Sequence, residues 1–411
     1  MQGAGARGVA PVVKRPRIDH IDGCCFALVL PIVLAHSARF GMTNKTLLKV
    51  LAQENVLVGG FFVLMGYITA YTATKVGERS ADERKLARPE MFFWSRVMSY
   101  YPLHLLVSTV FAPMFVAIDR YYKTPAGKTG LRAFLNYSML QAWFPAEAEV
   151  WNQPSWFLSA LTTSNLAMPA VLTRTAALSK VGLQKLFFGL TAVSMLQKVS
   201  FSNTSRFHSH NISTTEKEYP LIWNLTRFHP LSSLIEMTMG VASAREVMLD
   251  TETESMTLRE NPTVYFVAAY ATLLLRATKF DFNDAIVRSA LFVPLYSKFL
   301  QAMHRDCLSS SPSALTQLLS SGPLRYLGSL TFSLFLLHAP IGQLFYKKAI
   351  ATRLWGGPMS AAFFPSYLAI VLASSVAVTE GVIKNPSVQS LAARAARWLA
   401  SQTEGMLQDF S

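Results

Sequence analysis

Asp22-Gly-Cys-Cys-Phe-Ala-Leu-Val-Leu-Pro-Ile-Val-Leu-Ala-His36 has the composition of a membrane-buried helix. It is an apolar run that follows the basic cluster Lys14, Arg15 and Arg17 and ends on an ionisable side chain. In a membrane, such a side chain is costly unless it meets a partner or a water-filled cavity, which makes His36 a functional candidate. A histidine can also hold or release a proton near neutrality. The plainer reading is a packing histidine bonded to a neighbouring carbonyl.

Outward from this run, the same pattern repeats along the whole chain. Apolar stretches lie near 22–40, 51–73, 98–118, 155–173, 182–197, 229–246, 262–278, 285–303, 325–346 and 359–383. Each is close to the ~17–25 residues a tilted helix needs to cross a bilayer. The 411 residues are 51% hydrophobic and only 15% charged, and the mean hydropathy is +0.28. Soluble domains carry about a quarter charged residues, so the missing charge implies a non-aqueous environment. The expected fold is an all-α polytopic membrane protein with about ten transmembrane helices. Residues 1–17 are read as a cytosolic tail, 18–386 as one membrane domain and 387–411 as a cytosolic amphipathic tail, with Leu391, Ala395, Trp398 and Leu399 on its apolar face.

The net charge of +14 does not indicate nucleic acid, because the basic residues are scattered between the apolar runs. It fits membrane orientation instead. The N-terminal cluster and the 75–96 loop are the densest basic regions, which predicts cytosolic N- and C-termini. The sequons at Asn44, Asn136, Asn203, Asn211 and Asn224 would then all face away from the cytosol. That pattern predicts a glycoprotein of the plasma membrane or a secretory-pathway membrane, with the first run acting as a signal anchor. Trp143, Trp151 and Trp156 suit an interfacial belt. Cys24, Cys25 and Cys307 form no expected disulfide framework. No internal repeat of the kind common in secondary transporters is present.

Few side chains in these runs can carry chemistry. His338 ends the stretch Tyr326-Leu-Gly-Ser-Leu-Thr-Phe-Ser-Leu-Phe-Leu-Leu-His338 at a depth similar to His36, and two such histidines can line one cavity. There a neutral imidazole can accept a proton from a hydroxyl while the second orients it. Glu236 is an acid within a run; it is either catalytic or a carboxyl that ties helices together. Arg96 can meet a phosphate-bearing donor or snorkel to the interface. His208 and His210 are a lone His-x-His pair without further ligands and are read as non-metal.

Taken in order, the landmarks resemble the acyltransferase-3 family of multi-span membrane O-acyltransferases. They are Ile21-Asp-Gly with His36-Ser; Gly60-Phe-Phe-Val-Leu-Met-Gly-Tyr67; Phe93-Trp-Ser-Arg-Val-Met-Ser-Tyr-Tyr-Pro102; Pro154-Ser-Trp-Phe-Leu-Ser-Ala160; Glu236-Met-Thr-Met-Gly240; and Leu327 to His338. The resemblance implies an acyl-CoA co-substrate, no cofactor or metal, and a carbohydrate or other hydroxyl acceptor, with acetyl the expected acyl group. It gives His36 the proton-transfer role, while His338 and Glu236 are catalytic candidates from their places within the apolar runs. It places donor binding near position 25, where the family usually carries a cation and this chain has Cys25. Ser99 and Ser233 likewise stand where arginines are frequent, Met65 replaces a serine, and Leu161 stands where many bacterial members have a glutamate. Arg96 or Arg17 would then take up donor binding. A non-catalytic relative and a proton-coupled transporter are the alternatives.

Overall fold

The computed structural model describes residues 18–41, 44–51, 54–205, 225–250, 261–277 and 285–409. Among the described residues the regular elements are helices, and the single β feature is an isolated bridge between Thr74 and Ala81. The long helices are α1 (His20–Gly41), α2 (Glu54–Ala73), α3 (Pro89–Tyr121), α4 (Trp156–Ala176), α5 (Lys180–Ser205), α6 (Pro230–Asp250), α7 (Pro262–Ala277), α8 (Val293–Cys307), α9 (Thr331–Tyr346), α10 (Phe364–Val378) and α11 (Pro386–Asp409). A π-helical segment, Ala285–Phe292, leads into α8, and another, Thr379–Ile383, ends α10.

From α1 to α10 the helices run to and fro between two ends of one bundle. The near end holds the start of α1, where Arg325 pairs with Asp19, and the close of α6 and α8, where Arg305 pairs with Asp250. The far end holds His36, the start of α4 and the start of α10. Each apolar run of the sequence corresponds to one of these helices. By length and apolarity, α1, α2, α3 and the stretch Ala361–Ile383, which joins α10 to its π segment, can cross a membrane, and the short helix Gly322–Ser329 with α9, bent by 52°, makes a fifth such span. The others fall short for identifiable reasons. Helix α6 carries Glu236, Arg245 and Glu246, α5 carries Lys185 and Lys198, and the run leading into α8 carries Arg288 and Lys298.

Two of the sequence landmarks are packing devices. A Cβ on Gly66 would collide with the Met237 carbonyl, and one on Gly240 with the Val63 carbonyl. Helices α2 and α6 therefore meet backbone to backbone, as small residues allow where no water drives helices together. Gly23 and Gly328 do the same between α1 and its neighbours, against the Leu319 and Asp22 carbonyls. The core around these contacts is apolar and continuous, from Leu28 and Ile32 through Phe62 and Phe157 to Phe299 and Leu336.

Helix α3 has 33 residues, or roughly 50 Å. Even a ~40° tilt would not fit that length into a ~30 Å hydrocarbon core. Its first turns, which include Glu90, Ser95, Arg96 and Ser99, are covered by α11. The Trp94 indole donates to Thr403 at 2.9 Å, and Arg88 pairs with Glu404 at 2.6 Å. Helix α11 packs on α3 through its alanines and turns part of the apolar face read from its periodicity outward. Ala396 and Ala400 are buried, while Leu391 and Trp398 are 59% and 63% exposed. Alanines allow the close approach to α3, so the larger side chains turn outward.

The tryptophan belt also differs from expectation. Trp143 is exposed, but Trp156 is buried against Phe62 and Phe228, and Trp151 stacks on Phe115 with its indole donating to Asp119. Asn136 of the second sequon is buried too; its side chain accepts from Ser108 and donates to Ser155. Asn44 is exposed, Asn203 lies in the last turns of α5, and Asn211 and Asn224 lie outside the described residues.

Candidate active site

His36 and His338 meet. The Nδ1 of His36 lies 2.8 Å from the Nε2 of His338, and the rings are 5.1 Å apart between centroids at an interplanar angle of 21°. The two residues are 302 positions apart in sequence, and α1 and α9 bring them together. His338 is fully buried and His36 half-buried.

The hydrogen-bond chain fixes the tautomers. His338 Nδ1 lies 2.9 Å from the Leu334 carbonyl, which can only accept, so this nitrogen carries a proton. In a neutral ring Nε2 is then an acceptor. It faces His36 Nδ1, which must donate to it. For a neutral His36, the acceptor nitrogen is therefore Nε2. A backbone carbonyl thus sets, through two rings, which atom of His36 can take a proton.

Neighbouring groups hold this geometry. The Tyr367 hydroxyl of α10 donates to the His338 carbonyl at 2.9 Å and lies 3.0 Å from the Ser37 hydroxyl beside His36. Asn152 donates to the Leu336 carbonyl at 3.1 Å. Phe335, between Phe61 and Phe157, completes an aromatic wall next to His338.

Glu236 belongs to a different constellation. Arg288 grips it with two hydrogen bonds, Nε to Oε1 at 2.8 Å and Nη2 to Oε2 at 2.6 Å. Arg288 Nη1 donates to the backbone and side-chain oxygens of Asn55, both at 2.9 Å. Lys198 stands 3.8 Å from Glu236 and donates to Ser194 and Ser289. All three charged side chains are buried. Gly59 leaves the room that Arg288 needs, since a Cβ there would lie 2.9 Å from its Nε. Sequence reasoning missed Lys198 and Arg288, although each is an ionisable group within or at the edge of an apolar run.

The expected donor-binding residues lie away from the histidines. Arg96 donates to Thr72 at 3.0 Å and rests over the Phe92 ring at 5.4 Å. Cys25 is half-buried and, like Cys24 and Cys307, forms no disulfide. It precedes His36 by eleven residues, or roughly 16 Å along the helix. Arg17, His208 and His210 lie outside the described residues. Arg245 also escaped sequence reasoning: it is fully buried and donates to Thr74 and to the Lys75 and Glu78 carbonyls, fastening the turn after α2. Among the described residues no group of three His, Cys, Asp or Glu side chains is placed to hold a metal ion.

The family model described as an acyltransferase domain, acyltransferase-3, matches residues 17–380. The chain belongs to the acyltransferase-3 family. The match takes in both histidines, the charged cluster and the helices from α1 through α10, ending at the second residue of the π segment. No curated protein and no solved structure matches the chain. Family membership and the apolar helices together make this an integral membrane protein of an acyltransferase family.

Proposed function

We propose that the protein is a membrane O-acyltransferase that moves an acyl group, acetyl foremost, from acyl-CoA to a hydroxyl of a carbohydrate or similar acceptor. The observation that carries this reading is the carbonyl–His338–His36 chain, which leaves His36 Nε2 as the proton acceptor. In the reaction, the acceptor hydroxyl oxygen attacks the thioester carbonyl while His36 Nε2 takes its proton. The carbon–sulfur bond breaks, and the departing thiolate recovers that proton from His36. His338 acts by positioning: it fixes the His36 tautomer and shares the positive charge that develops on the pair. General-base help of this kind contributes about 10²–10⁴-fold to rate.

Glu236 is assigned a bracing role, because its carboxylate is engaged by Arg288 on both oxygens. Donor contacts are assigned to Arg96 at the near end and to Arg17, with Cys25 eleven residues before His36 on α1. This places the donor on the cytosolic side and the acceptor on the other, with ten spans, both termini cytosolic and a plasma or secretory-pathway membrane as the site.

Membranes bearing the protein should transfer label from acetyl-CoA to an acceptor fraction, and His36→Ala should abolish the transfer while the protein is still produced. Full activity in His36→Ala would overturn the assignment. Comparison of glycans and lipids from cells with and without the gene should show one acyl group lost, which identifies the acceptor.

A further inference from the structure

Helix α9 carries a proline two residues after His338. Pro340 has no backbone N–H, so the Leu336 carbonyl, four residues earlier, lacks the donor that a helix ordinarily gives it. A buried carbonyl needs another. It comes from outside the helix: the Asn152 Nδ2 donates to the Leu336 carbonyl at 3.1 Å. One residue earlier in the chain, the Trp151 carbonyl accepts from Gln343 Nε2, also at 3.1 Å. Two consecutive residues of one turn are thus bonded to α9 on either side of Pro340, and His338 lies between the two bonded positions.

The turn is built to hold these bonds. Trp151 has a φ of +67°, in the left-handed region that bulky side chains rarely enter. Such strain persists only where the surroundings over-determine it. Here the indole donates to Asp119 at 3.2 Å and stacks on Phe115, and Asp119 is itself paired with Arg132. The Asn152 carbonyl accepts from the Ser155 hydroxyl at 2.6 Å, whose oxygen accepts in turn from Asn136 and Gln141. Ser108 of α3 donates to Asn136 and closes the chain of bonds onto that helix. Asn136, Gln141, Asn152 and Ser155 are all buried.

Asparagine is a costly residue at position 152. Its Nδ2 must face the Leu336 carbonyl, which only accepts, and this leaves Oδ1 buried with no partner among the described residues. A leucine of similar size would avoid that unpaired acceptor, so filling of the core does not account for the amide. Supplying the donor that Pro340 withholds does account for it.

We propose that Asn152 and Gln343 are positioning residues, a latch across Pro340 that holds the α9 backbone and keeps the His338 ring in line with His36. This role rests on the acyl-transfer reading above and adds to it the residues that set the His338–His36 geometry. Neither residue is assigned a contact with the reacting atoms. Their effect passes through His338.

The test compares Asn152→Leu, Pro340→Ala and the double variant in transfer from labelled acetyl-CoA at matched protein levels. Pro340→Ala returns an N–H to the Leu336 carbonyl, which makes Asn152 dispensable. Asn152→Leu should lower kcat by about 10²-fold, the scale of a misplaced catalytic group, and leave KM as it was. In the Pro340→Ala background the same substitution should cost little. Full kcat in Asn152→Leu would overturn the proposal. So would an equal loss in both backgrounds, since the effect would then bypass the Leu336 carbonyl. A rise in KM at constant kcat would overturn it too, by placing Asn152 on a substrate. If Asn152→Leu does not accumulate, Gln343→Leu is read in its place: a loss of kcat at unchanged KM supports the latch, and full kcat overturns it. If the unmodified protein transfers no label, the acyl-transfer reading falls, and the latch is judged by the rate at which diethyl pyrocarbonate modifies His36. That rate should rise in Asn152→Leu, because His36 Nδ1 is no longer held against His338, and should return to its original value in the double variant. An unchanged rate in Asn152→Leu would overturn the latch.

Discussion

The bundle holds two buried sets of ionisable side chains, and they are built in opposite ways. Around Arg288 the charges close on one another: Glu236 is held on both oxygens, Asn55 takes another edge of the guanidinium, and Lys198 rests on two serine hydroxyls. Around His338 the hydrogen bonds run in one direction, from His36 to His338 to the Leu334 carbonyl, and fix an acceptor nitrogen on the half-buried ring. The first arrangement suits a permanent brace, since a charge in an apolar bundle is tolerable only with its partners in place. The second suits the proposed proton transfer, since it leaves an acceptor nitrogen on the less buried ring. Burial alone therefore does not separate structural from chemical groups in this protein; the direction of the hydrogen bonds does.

Substitutions at both sites test this contrast. The largest effect is expected from Arg288→Ala, which strands a buried carboxylate. Breaking such a pair costs about 3–5 kcal/mol, so the variant should fail to accumulate in membranes, as read by immunoblotting and detergent melting. Next, His338→Phe keeps the volume of the site but removes the acceptor for His36. Acyl transfer should fall by about 10²–10⁴-fold with protein levels maintained; unchanged activity would remove His338 from the mechanism. Gly66→Leu should lower stability by about 1–3 kcal/mol through overpacking against the Met237 carbonyl, measured as a drop in melting temperature, while surviving protein keeps its activity. The smallest change is expected from Lys198→Met. It removes the excess cation and leaves the Glu236–Arg288 pair intact, so melting and activity should both stay near those of the unmodified protein. A collapse on the scale of Arg288→Ala would show that the lysine is an equal member of the brace.

Much of this organisation was legible in the sequence. The apolar runs mark the helices because a membrane-length helix must be apolar along most of its length, and the depths of His36 and His338 within their runs placed them at one level. The glycines of the Gly66-Tyr67 and Glu236–Gly240 motifs are visible as letters, but their purpose, backbone contact between α2 and α6, exists only once the helices are paired. The partners of Glu236 were hidden for a similar reason. Arg288 lies 52 residues away, and a single cation inside an apolar run does not announce which acid it will meet. In the tail helix the apolar face was legible, but the face that packs on α3 was not, because Ala396 and Ala400 gain it by being small. The hydropathy of α4, α5 and α6 is diluted by side chains that pair inside the bundle, so membrane-crossing length and apolarity are clearest in α1, α2, α3 and the stretch Ala361–Ile383.

The central claim is that His36 and His338 act as one unit in acyl transfer. Its most direct test is a double-mutant cycle on transfer from labelled acetyl-CoA, with His36→Ala, His338→Ala and the double variant compared at matched protein levels. Residues that work as a unit lose their effect together, so the double variant should be no slower than His36→Ala alone. Losses that multiply between the two sites, or activity that persists in His36→Ala, would contradict the account.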